Sequence, residues 1–133
     1  MKKLIVLALG LLQSGIGLAE TVTSVDVVKV IDGHVEETLY YYQSNWAKYR
    51  REALAQGFIA GYRLLVDRDS EDDTVVLLMT DYADREQYEA REEHFGPIMD
   101  AAGGPKLLNE LEPGAFRQIT DAWTFTAAAG RAD

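Results

Sequence analysis

The 133-residue chain has no cysteine. That excludes a disulfide framework, a lipid-anchored lipoprotein and a thiol nucleophile. Positive charge is also scarce, with 13 Lys and Arg against 22 Asp and Glu. A surface of that sign repels phosphate backbones and anionic lipid, which argues against nucleic acid as a partner, and its first effect is solubility. No glycine-rich phosphate loop follows a strand, and Ser24, Ser44 and Ser70 stand in no nucleophile motif. Histidine occurs only twice, at His34 and His94. Glu92, Glu93 and His94 are adjacent, so on a helix they point about 100° apart and cannot share one ion. The residues signal no metal site and require no cofactor.

The first segment, MKKLIVLALGLLQSGIGLAE, has two lysines, an apolar run and small residues at Gly17 and Ala19. This is the order of a bacterial secretory signal peptide, with cleavage expected after Ala19 and a periplasmic or secreted product. Gln13 and Ser14 interrupt the run, which is short for about 30 Å of hydrocarbon, so no stable membrane anchor is expected after cleavage. Residues 20–133 then form a single domain; without Lys2 and Lys3 the basic residues fall to 11 against 22 acidic ones, a net charge of −11.

Within that domain, residues 35–56 predict one long amphipathic helix. Leu39, Tyr42, Trp46, Tyr49 and Ala53 recur at steps of three and four and share an aromatic face. Glu36 and Glu37 suit its first turn and Arg50 and Arg51 its later part, and Gly57 ends it. Before it, residues 21–31 are Val- and Thr-rich and predict a strand closed by Asp32-Gly33. After it, residues 58–66 and 74–80 predict two strands around the charged loop VDRDSEDDT. Asp84 predicts an N-cap with Gln87 three residues on, opening a second helix from Arg85 to about Phe95 that Gly96-Pro97 interrupts. A short helical piece, KLLNELEP, and a last strand within 115–127 complete the order. In that strand Ile119, Asp121, Trp123 and Phe125 are expected on one face.

The sequence of elements is β-α-β-β-α-β. That is an α+β, ferredoxin-like sandwich: a four-stranded antiparallel sheet with both helices on one side. Val22, Val25, Val27, Val28 and Val30 cannot all face the helices, so the second sheet face needs cover, most simply from another copy of the chain.

Three stretches, VDVVKVIDGHVEETLYYY, GFIAGYRLLVD and VVLLMTDYADREQYEA, resemble the dimeric α/β-barrel superfamily. Its members include antibiotic-biosynthesis-type monooxygenases, stress-responsive barrel proteins and NIPSNAP-like proteins. The resemblance implies a homodimer packed sheet to sheet. Some members bind haem through a helix histidine, which would fall on His94, together with a nearby Asn and Trp; here the third strand has no Trp and the first no Asn. Co-factorless members use a helix–sheet cavity for aromatic substrates.

Tyr42, Trp46, Tyr62 and Trp123 are the candidates to wall such a pocket, with His94, Tyr49 and Arg63 as candidate acid, base or oxyanion donor. The same rings also suit core and dimer interface. Three functional readings follow. The first is an exported dimer of unassigned activity that binds a small apolar or aromatic ligand. The second is a co-factorless oxygenase or isomerase acting on an aromatic or quinone-like compound, and the third a haem-binding protein.

Overall fold

The computed structural model describes residues 20–69 and 73–130; the leader expected at 1–19 and positions 70–72 of the charged loop lie outside the described residues. The elements are β1 (Val22–Val30), α1 (residues 35–55), β2 (Gly61–Val66), β3 (Val75–Tyr82), α2 (Arg85–Glu89), α3 (Arg91–Ala102), α4 (Pro113–Phe116) and β4 (Arg117–Thr126). The four strands form one antiparallel sheet in the order β2-β3-β1-β4. This is the ferredoxin-like arrangement that the element order implies. No described helix is long and apolar enough to cross a membrane.

Strand pairing assigns the two faces. Val22, Ser24, Asp26, Val28 and Val30 of β1 alternate toward the helices, opposite Tyr82, Thr80, Leu78 and Val76 of β3. Two clusters fill that side. One joins Val22, Tyr82, Ala53, Ile59 and Phe95; the other joins Val28, Val30, Val76, Leu78 and Tyr42. The opposite face carries Val25, Val27, Leu77, Met79 and Leu65, with Trp123 and Phe125 beside them.

Several details depart from expectation. Helix α1 is α-helical over Val35–Tyr41 and Ala47–Ala55 but π-helical over Tyr42–Trp46. Asn45, buried in that turn, binds both backbone groups of Lys106, donating to its carbonyl (2.8 Å) and accepting from its N–H (2.8 Å). This clamp holds the α3–α4 connection against the helix. The segment KLLNELEP is therefore not helical: Asn109 and Glu110 take left-handed φ values of 57° and 56°, incompatible with a helix, and only Pro113–Phe116 coils.

Strand β2 begins at Gly61, three residues late, because Phe58 belongs to the end of α1. Its N–H donates to Ala53 O (2.8 Å) and that of Gly57 to Leu54 O (3.1 Å), a Schellman closure that Gly57 permits with φ 78°. The second helical stretch breaks at Ala90, and Pro97 lies inside α3 without ending it. Pro97 is exposed, so the carbonyl one turn before it, which loses its donor, can turn to solvent. Asp84 caps α2 as expected, accepting from Gln87 N (2.8 Å), while Gln87 Oε1 takes the N–H of Ala83 (2.6 Å). In β4 a bulge separates Asp121, paired with Val27, from Ile119, paired with Val28. Ile119 therefore falls on the helix side, away from Trp123 and Phe125.

Candidate functional site

The helix-facing row of β1 is valine at Val22, Val28 and Val30, with Ser24 and Asp26 between. Asp26 pairs across to Leu78 on one side and to Ala122 on the other. Ala122 and Thr124 of β4 are exposed even though they share this face, because the helices sit over the other strands. An open trough results, floored by β1 and β4 and walled by α1. One end closes where Tyr88 and Thr124 hydroxyls meet at 3.1 Å and the Tyr88 ring meets Tyr82 edge to face. At the other end Tyr42 and Arg117 approach each other. Both the Tyr42 hydroxyl and Arg117 Nε are buried without a hydrogen-bond partner, and burial raises the Tyr42 phenol above its usual range, opposed by the nearby Arg117 charge.

Arg50 forms the wall. Its Nε donates to Thr80 Oγ1 (2.9 Å), and its guanidinium carbon lies 4.8 Å from the Trp46 ring centre and 4.1 Å from that of Phe95. Both rings hold the cation by their faces. Burial lowers the Arg50 pKa, opposed by Tyr82 and Asp26, yet guanidinium stays charged at any ordinary pH. Burial likewise raises the Asp26 carboxyl above its usual range, and the Arg50 charge only partly opposes this. Among the described residues no ion-pair contact joins the two. Tyr82 is raised too, first by burial, with Arg50 the main opposing charge.

Of the residues singled out from sequence, Tyr42, Trp46 and Tyr62 lie on this side of the sheet, Trp46 and Tyr62 edge to face at 5.9 Å. Tyr49 packs against the Val22–Tyr82 cluster. Trp123 does not join them. It pairs with Val25 on the opposite face, 51% exposed beside Phe125. Arg63 also faces that side, against the Met79 sulfur at 3.9 Å. His94 is on neither face: it stacks on Phe58 (3.9 Å, 9° between planes) in a cleft between α1 and α3. Arg63 and His94 therefore do not converge.

Haem does not fit this histidine. The imidazole Nδ1 is buried, and the cleft carries Glu52 and Glu93, whose charge opposes haem carboxylates. Among the described residues no cluster of His, Asp and Glu is grouped to hold a metal ion.

Sequence reasoning missed Asp26 and Arg50. For Asp26 a signal existed: it is the one acid in the inward row of a valine strand. Arg50 lies four residues after Trp46 and three before Ala53, on the inward stripe, but as a cation in the later part of the helix it was read as complementing the helix dipole.

No family model and no curated protein matches the sequence. Solved structures do. A conserved protein from Methanosarcina mazei Go1 is 11% identical, with 85% of this chain and 98% of that one covered at a TM-score of 0.52. A putative antibiotic biosynthesis monooxygenase from Bacillus cereus is 14% identical, covering 86% and 99% at a TM-score of 0.51. At these identities the likeness establishes the shared ferredoxin-like fold.

Proposed function

We propose that the trough between α1 and strands β1 and β4 binds a small, flat aromatic molecule bearing a phenol, enol or quinone oxygen. One observation carries this reading: Asp26, an acid in a row of valines, is held above its usual pKa opposite an arginine clasped between two rings. Valine in its place would serve the fold better, so an acid there points to use rather than stability. The ring faces supply flat apolar contact, Arg50 meets a ligand oxygen, and Asp26 exchanges its proton. The name of the Bacillus cereus relative fits a small-ligand scaffold.

The raised Asp26 carboxyl also favours a catalytic version. As carboxylate it would take a proton from a carbon beside a carbonyl, Arg50 would hold the enolate oxygen, and return of the proton to another carbon would complete an isomerisation. With dioxygen as co-reactant, a phenol so activated gives a quinone and one water. Export through the leader and pairing of two chains through the open sheet face belong to the same reading. Leu65, Trp123 and Phe125 are 38%, 51% and 52% exposed on that face, which a second sheet would cover.

Calorimetric titration with a naphthol and a naphthoquinone tests the site. Saturable binding is expected in the wild type, weakened at least about tenfold, or ~1.4 kcal/mol, by Arg50→Met in a variant with native circular dichroism. No saturable binding of either probe, or equal binding by the variant, would sink the proposal.

A further inference from the structure

We propose that the cleft between the C-terminal half of α1 and helix α3 is a second binding site, separate from the trough, for a small organic cation with a flat apolar body. The cleft has a volume of about 520 Å³ and is walled by Phe58, His94, Pro97 and Ile98. Its charged lining consists of Glu52 and Glu93, with no Lys or Arg. Glu52 shares one oxygen with Gln56 Nε2 (2.8 Å), and Glu93 makes no hydrogen bond or ion pair among the described residues. Both carboxylates thus remain available, and in a chain with a net charge of −9 nothing nearby in the cleft balances them.

The wall is built before any ligand arrives. Phe58 is fixed by the closure of α1, and Gln87 Nε2 ties the preceding residue through Gly57 O (2.8 Å). His94 stacks on Phe58, and its Nδ1 is buried with no hydrogen-bond partner. A fixed aromatic face beside two carboxylates is the arrangement that recognises ammonium groups carried on apolar bodies, and the volume suits a small ligand.

Separation from the trough follows from the helix. His94 faces the cleft while its neighbour Phe95 turns under Arg50. One side of α3 thus packs Phe95 against the Arg50 guanidinium of α1, while the other turns Glu93 and His94 to the cleft.

The test uses NMR on the whole chain with benzyltrimethylammonium as probe and benzoate as its anionic counterpart. The cation is expected to shift Phe58, His94 and Ile98 resonances saturably in the range of about 1 mM or tighter, and benzoate to leave them unmoved. The double variant Glu52→Gln, Glu93→Gln should weaken the cation at least about fivefold while keeping the native spectrum, since neither carboxylate is buried. The proposal is overturned if the cation produces no saturable shift at these residues, if it shifts Trp46 and Asp26 instead, if benzoate binds equally, or if the double variant binds the cation unchanged.

Discussion

Replacing Asp26 with asparagine separates a functional acid from a structural one. The folded protein holds the Asp26 proton more tightly than the unfolded chain does, because burial outweighs the attraction of Arg50. From the unfolded value of 3.8 up to the raised folded value, stability therefore falls as pH rises. Below that window the carboxyl is neutral in both states and nothing is lost; above it the loss is complete. An asparagine at this position cannot ionise, so Asp26→Asn should be more stable than the wild type at neutral pH and equal to it in acid. Urea unfolding resolves this. At an unchanged slope, the midpoint should lie above that of the wild type near pH 7 and coincide with it near pH 3. A variant less stable at neutral pH would refute the reasoning, since Asp26 would then be the counter-ion that Arg50 needs in order to be buried.

Asn45→Ala removes both bonds to Lys106 and the bond to Tyr41 O. A loss of about 2 kcal/mol, or roughly 8 °C in Tm by calorimetry, is expected; an unchanged Tm would show that the clamp is dispensable. Pro97→Ala restores a donor inside α3 at an exposed position, so thermal unfolding should move up by about 4 °C, for about 1 kcal/mol. Light scattering should give the mass of two chains for the wild type and of one for Trp123→Asp, which places a charge on the open sheet face. A wild type with the mass of one chain contradicts the pairing.

The element order was legible from composition and period: a Val- and Thr-rich run for β1, rings at steps of three and four in α1. The site was only half legible. Tyr42, Trp46 and Tyr62 could be found as inward rings. Trp123 could not be placed, because which face of β4 meets the helices depends on its register with β1, a long-range property. Arg50 was passed over because its charge suits the later part of the helix, although its spacing from Trp46 and Ala53 puts it on the inward stripe. Pro97 misled for the opposite reason: its local rule is sound, but α3 lies at the surface, where a lost backbone donor costs little. Asp26 was visible all along as the misfit in its row.

The most direct measurement is an NMR titration of the Asp26 carboxyl carbon, alone and with a naphthol bound. A midpoint above the ordinary aspartate value of 3.8 is expected, shifting further when the ligand fills the trough. An ordinary midpoint that the ligand leaves unmoved would contradict a binding site built on Asp26 and Arg50.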